Sequence, residues 1–346
     1  MSPAPDWTRL QPHRPVGPGD GNYVDRPDAA DIRIADWLLA GRSPVLVAGP
    51  VGIGKSTELA HAGELLEEHR VVALVQLDRL ENMRSIEVHE TLDLLGKQLV
   101  TAEGGIEARR RDTRAEDHLL AACREVKRHA RTAPVFLIDG LEKCTDESFR
   151  QVLDALAVIE NDAGLAVVVP WNAAYGPTAQ SVIGPRERLV VIRPVEVEGR
   201  GSPGTRFLRQ LAASRLALPP DTSVPSEFDE VLAQCAVWSE GIPRTFLQLL
   251  ADAASYARVL RSGDWPLVED VARAVAEQRD SFRRLMLPGD EAALRTVDGT
   301  DGREMELGTK LRLLSHGMLL EHLHQGAPIL RPHPIVRQLL QGGAGG

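Results

Sequence analysis

Residues 44–57 read Pro44-Val45-Leu46-Val47-Ala48-Gly49-Pro50-Val51-Gly52-Ile53-Gly54-Lys55-Ser56-Thr57, a short apolar strand running into G-x-x-x-x-G-K-S. Gly49, Gly52 and Gly54 lack a Cβ, so the backbone there is free to wrap a phosphate chain and aim its N–H groups at it. Pro50, Val51, Ile53 and Thr57 are the remaining expected nucleotide-binding positions of the loop. Lys55 is expected to reach the β- and γ-phosphate oxygens, and the Ser56 hydroxyl to ligate Mg²⁺. The helical run that follows, with Leu59, Ala62, Leu65 and Leu66, adds its positive dipole end. The pattern therefore predicts a nucleoside triphosphate with Mg²⁺ as cofactor.

A chain of 346 residues is long enough for two or three packed domains. Aromatic residues make up 4% of it, too few for the stacking platforms that grip single-stranded nucleic acid. The net charge of −9 disfavours a general nucleic-acid surface. Cys123, Cys144 and Cys235 are odd in number and lack metal-ligand spacing, which points to a reducing compartment. With no signal peptide and no apolar run of membrane-spanning length, the expected location is the cytoplasm, away from membranes.

Along the chain, residues 1–21 carry repeated prolines and glycines and read as a flexible lead-in. Helical periodicity at 31–39, 55–69, 87–101 and 115–130 alternates with apolar strands at 44–48, 71–77, 135–139, 165–169 and 189–192. That alternation predicts an α/β fold over 22–200, a three-layer P-loop NTPase domain with a parallel sheet. The run Arg109-Arg110-Arg111 beside Gly104-Gly105 reads as a solvated loop. Helical patterns alone fill 201–282, predicting a helical lid. Residues 283–341 mix a helix at 307–314, a hairpin around Gln325-Gly326 and a last helix at 334–340, a winged-helix-like domain. Residues 342–346 read as a flexible tail.

Magnesium bound by Ser56 needs an acidic residue at the end of a neighbouring strand, and Asp139, closing Val135–Ile138, fits that role. The position after Asp139, where a water-polarising glutamate is common, holds Gly140. Glu142 takes over that catalytic role if the chain turns at Gly140. Asn172, following the fourth strand, is placed to hydrogen-bond the γ-phosphate or the attacking water.

The order of these elements resembles the AAA+ superfamily and, within it, the STAND group of signal-transduction ATPases. Four segments carry the resemblance. Asn22-Tyr23-Val24-Asp25-Arg26-Pro27 stands where those proteins hold adenine, so Tyr23, Val24 and Arg26 are implied base contacts. Phe136 to Cys144 resembles their second acidic motif. Ser239-Glu240-Gly241-Ile242-Pro243-Arg244 resembles the nucleotide-touching motif of their lid, which assigns Pro243 and Arg244 to the site. The segments around Leu313–Leu320 and Arg331–Arg337 resemble the end of the winged-helix domain, where His333 matches a histidine set against the β-phosphate of ADP. An arginine finger is sought at Arg186 or Arg188. His322 and His324 read as solvent-facing.

The resemblance implies an ATP-binding and ATP-hydrolysing switch whose Mg-ATP drives conformational change and self-association, in a bacterial defence or regulatory setting. The chain lacks the effector and sensor segments of such proteins, so protein partners are expected to carry those functions. The alternative is an AAA+ ATPase acting on DNA through its winged helix. A phosphotransferase is disfavoured by the long helical extension.

Overall fold

The computed structural model describes residues 5–17, 19–77, 87–103, 114–175, 188–199, 201–217 and 224–342. The expectations for Gly104-Gly105, Arg109–Arg111 and Arg186, and most of the tail, fall outside these residues.

Five strands, β1 (Val45–Ala48), β2 (Val72–Gln76), β3 (Val135–Asp139), β4 (Gly164–Val168) and β5 (Arg188–Val191), pair in parallel in the order β2-β3-β4-β1-β5. All residues of β1 and β3 are buried, because helices cover both faces of the sheet. Alternate side chains divide between those faces. Val45 and Val47 pack with α1 (Ala30–Leu39) and α2 (Lys55–Glu67) through Ile34, Leu59 and Leu66. Leu46 and Ala48 belong to the opposite layer, built on α3 (Val88–Ala102), α4 (Ala115–Ala130) and α5 (Asp146–Leu156). The predicted α/β three-layer architecture with a parallel sheet is the observed one. One detail differs: β3 is not the hydrogen-bonded neighbour of β1, because β4 lies between them.

Beyond the sheet come α6 (Pro203–Leu216), α7 (Phe228–Trp238), α8 (Pro243–Arg261) and α9 (Val268–Leu285). A C-terminal unit follows, with α10 (Asp290–Val297), α11 (Leu307–Ser315), the antiparallel pair β6 (Leu319–His324) and β7 (Ala327–Pro332), and α12 (Pro334–Gly342). The hairpin turns at Gln325-Gly326, both at positive φ (52° and 80°), the geometry that suits the twist of a two-residue turn. The helical region and the C-terminal unit share one apolar cluster, in which Phe207, Leu250 and Phe282 join Leu313 and Ile335.

Helices α5 and α10 are additions to the elements that periodicity predicts. Thr145 caps α5 by accepting from the Ser148 N–H at 3.2 Å, a start signal that the sequence carries.

The largest correction concerns the lead-in. Residues Trp7–Leu10 form a short 3-10 helix, and Trp7 and Leu10 are 5% and 0% exposed. Trp7 donates its indole N–H to the Asp264 carbonyl at 3.0 Å and meets Phe228 and Trp265 edge-on, at ring distances of 5.8 and 5.6 Å. Composition averaged over a Pro/Gly-rich stretch hides single large apolar residues whose partners are remote in sequence. Burial of one such side chain is worth about 3 kcal/mol, enough to hold a short segment in place.

His322 is also corrected: it is half-buried rather than solvent-facing, beside Glu240 at 3.6 Å. Burial, then the charges of Arg331, Arg337 and Arg193, push its pKa down to about 4. His324 is exposed as expected.

Candidate functional site

The phosphate loop leaves β1 at the C-terminal edge of the sheet, where ligands of open α/β sheets collect. It winds through Gly52 (φ 82°) and Gly54 (φ 109°) into α2. At Gly52 an added Cβ would lie 2.5 Å from the Arg244 Cβ, so only glycine lets the helical region approach the loop this closely. The approach is sealed by the Arg244 N–H, which donates to the Gly52 carbonyl at 3.1 Å. Pro243 and Arg244 open α8 directly against the phosphate loop.

A cleft of about 330 Å³ runs along this seam. Its loop wall is Val51, Gly52, Ile53, Gly54, Lys55, Ser56 and Thr57; Glu142, Lys143, Pro243 and Arg244 face them. Tyr23, Val24 and Arg26 lie further along the same cleft. Gly49, Pro50, Asp139 and Asn172 do not line it.

Lys55 is 8% exposed, and its Nζ donates to the carbonyls of Gly49 (2.9 Å) and Pro50 (3.1 Å). Burial pushes its pKa down, while the charges of Glu142 and Asp139 push it up. The negative charge of both carboxylates thus acts on the ammonium. The chain does turn at Gly140 (φ 105°) into a 3-10 turn, Leu141–Lys143, which swings Glu142 into the cleft. Burial raises the Glu142 pKa, Asp139 adds to that, and Lys55 opposes it. The Arg244 guanidinium is lowered by burial and favoured by the Glu142 charge.

Asn172 is 7% exposed, and both atoms of its carboxamide are buried without a hydrogen-bond partner among the described residues. Such a group costs about 1–3 kcal/mol unless something supplies the missing bonds. It follows β4, the strand between β1 and β3, which sets it between the phosphate loop and Asp139. The residues present suit Mg²⁺ on a triphosphate: a hydroxyl (Ser56), a buried carboxylate (Asp139) and phosphate oxygens are the hard oxygen donors it takes. Among the described residues no three His, Cys, Asp or Glu side chains cluster to hold a metal unaided.

Arg26 is 5% exposed and acts as a brace. It donates to the carbonyls of Ile53 and Arg193, both at 2.9 Å, tying the phosphate loop to the end of β5. Tyr23 stacks on His61 at 3.8 Å between ring centroids. His333, 1% exposed, lies within the C-terminal unit against Phe282 and accepts from the Ile335 N–H through Nδ1. It does not line the cleft, and burial pushes its pKa down to about 3. Arg188 opens β5 and likewise does not line the cleft.

Two groups of site residues carry no recognisable motif. Pro12, Pro15, Val16, Phe207, Leu211, Arg215 and Leu247 line the far end of the cleft, and nothing in the sequence marks them. Glu58, in the first turn of α2, is 2% exposed, and burial pushes its carboxyl up to about 8, against the pull of Arg26. An acidic residue directly after G-K-S-T, where α2 turns toward the core, is the one available signal.

The folded state thus holds a proton on Glu58 that the unfolded chain releases near 4.5. Stability should fall as pH rises from about 4.5 to about 8 and then level off. Glu58→Gln, which keeps the shape without the titration, should melt above wild type by a margin that widens over that window. Thermal melts at several pH values check this; an offset constant with pH would contradict it.

Residues 39–172 match the family described as an AAA domain. Among solved structures the chain is similar to the Thermotoga maritima RuvB Holliday junction branch migration motor, at 14% identity and TM-score 0.46, covering 91% of this chain and 94% of that one. A mutant of the same motor gives 13% identity and TM-score 0.45, covering 92% and 99%. No curated protein matches the sequence. The segment that matches the AAA domain contains the phosphate loop, Asp139, Glu142 and Asn172.

Proposed function

We propose that the protein is an ATP-binding and ATP-hydrolysing molecular switch. Mg-ATP sits between the α/β domain and the helical region, which serves as its lid. Ser56 and Asp139 hold the metal, Lys55 and Arg244 meet the phosphates, Glu142 orients the water and Asn172 reads the γ-phosphate. The C-terminal unit, winged-helix-like in its elements, follows the lid, and self-association in the ATP form carries the signal to protein partners with sensor or effector functions. A bacterial defence or regulatory system is the setting that the STAND resemblance favours.

One observation carries this reading: the seam at Gly52 and Arg244, where the lid touches the loop that takes the phosphates. Phosphate bound there contacts both bodies, so it has a different affinity for the joined and parted arrangements, the condition for a ligand to shift them.

The C-terminal hairpin meets the α/β domain through Leu320, buried in the apolar layer of α1 and α2, and through a carboxylate. Glu321 on β6, 4% exposed, accepts from the Tyr175 hydroxyl and from Arg193 Nε at 2.7 Å. Tyr175 lies just beyond Asn172, and the Arg193 carbonyl is held by Arg26.

Light scattering of the purified chain without nucleotide, with ADP and with a non-hydrolysable ATP analogue tests the proposal. The expected result is a larger species with the analogue alone, lost in Lys55→Ala. Identical mass in all states would remove the switch. Steeply salt-dependent duplex binding would instead favour action on DNA.

A further inference from the structure

A second cavity, of about 590 Å³, shares no lining residue with the nucleotide cleft. Its walls come from three parts of the molecule. Arg33 of α1 and Arg193 beyond β5 belong to the α/β domain, Glu240 to the turn ahead of α8, and His322 and Arg331 to the hairpin. Three guanidiniums thus face one space, and they act on one another and on the ring beside them. Burial, then the charge of Arg33, lowers the Arg193 pKa. Arg331, Arg337 and Arg193 add to the burial that lowers His322. Like charges gathered in this way raise the energy of the site unless an opposite charge joins them.

The carboxylates nearby do not fill that role. Asp28 is paired with Arg26 at 3.0 Å, and Glu196 and Glu198 are exposed to solvent. Burial raises the Glu240 carboxyl toward its neutral form, against the pull of Arg337 and Arg331. Glu321, which accepts from Arg193 Nε at 2.7 Å, is not part of the lining. Two buried polar atoms of the lining, Arg33 Nε and His322 Nε2, have no hydrogen-bond partner among the described residues. The Glu240 carboxylate, 3.6 Å from His322 Nε2, lies beyond hydrogen-bond length. Arg33 Nε can only donate, so whatever completes this site brings acceptors.

A carboxylate presents one edge with two oxygens, which a single guanidinium fills. A phosphate presents oxygens in several directions and can meet guanidiniums mounted on separate elements. The volume is in the range of small-molecule sites, about 300–1,000 Å³, with room for more than the phosphate. We propose that this cavity is a second binding site, for a small phosphate-bearing metabolite, gripped by Arg33, Arg193 and Arg331 with His322 beside it. The site does not rest on the nucleotide reading. A ligand there touches the α/β domain, the turn ahead of α8 and the hairpin at once, and so ties the three together.

Inorganic phosphate is the probe, titrated calorimetrically into the full chain at fixed ionic strength, with acetate as the comparison. Lys55→Ala serves as the background, so that the phosphate loop contributes least. Phosphate should bind and acetate should not. Arg33→Gln and Arg331→Gln, each added to that background, should weaken phosphate roughly tenfold. In the otherwise unaltered chain, the same two substitutions should leave binding of the non-hydrolysable ATP analogue as in wild type. No phosphate binding, or an affinity unchanged in both variants, overturns the site, and so does equal binding of acetate. Loss of the analogue in step with phosphate would put the probe in the nucleotide cleft and equally overturn it.

Nuclear magnetic resonance of the histidine rings gives a second readout that needs no variant to fold. Phosphate should raise the His322 pKa above its value of about 4, because an anion beside the ring offsets the arginine charges that depress it. A His322 titration indifferent to phosphate would overturn the site.

Discussion

Lys55→Ala is expected to weaken Mg-ATP binding by roughly a hundredfold or more. A lysine on the β- and γ-phosphates makes charge-assisted bonds, each worth about 1.5–3 kcal/mol, and two of them account for that factor. Removal has a second cost, because the carbonyls of Gly49 and Pro50 lose the donor that meets them at 2.9 and 3.1 Å. The variant should therefore also melt lower without nucleotide, by about 1–3 kcal/mol. Lys55→Arg should not restore binding, since a planar guanidinium does not fit a pocket that closes around a point charge. Fluorescence anisotropy of a labelled nucleotide measures the affinity. Wild-type affinity in Lys55→Ala would mean that the phosphates lie elsewhere.

Glu142→Gln should leave nucleotide binding within about threefold of wild type and cut phosphate release by roughly 10²–10³, the usual worth of a positioned general base. The carboxylate is buried beside Lys55 and turned into the cleft by Gly140, so it has the setting for that work. Burial raises its pKa, which gives a second signature. Wild-type hydrolysis should decline as pH falls through that raised pKa, because the protonated acid cannot accept a proton, and the residual rate of Glu142→Gln should not follow this decline. Single-turnover phosphate release over a pH series reads both. A glutamine variant that hydrolyses at the wild-type rate would remove Glu142 from the chemistry.

The parts of the site that are legible in the sequence are those whose chemistry is local. The phosphate loop needs glycines and a lysine at fixed spacing, and Asp139 ends an apolar run, so both can be read without knowing what lies across the cleft. The hairpin is equally plain, because Gln325-Gly326 interrupts apolar residues at the length of a tight turn. What stays hidden depends on distant partners. No pattern in β4 says that it inserts between β1 and β3. Nothing near Trp7 announces Phe228 or Trp265. His322 and Glu58 look like ordinary surface residues until the elements facing them are in place, and only then does burial set their protonation.

The Glu321 junction has a mechanical consequence. Its two donors come from different parts of the α/β domain, Tyr175 from the chain leaving β4 and Arg193 from the chain leaving β5. A carboxylate held from two sides by independently mounted arms behaves as a bearing: if one arm shifts by an ångström relative to the other, it must let go of one of them. The contact at Glu321 is thus sensitive to the spacing of the two strand ends rather than to the position of either, while Leu320 keeps the hairpin packed on the layer of α1 and α2.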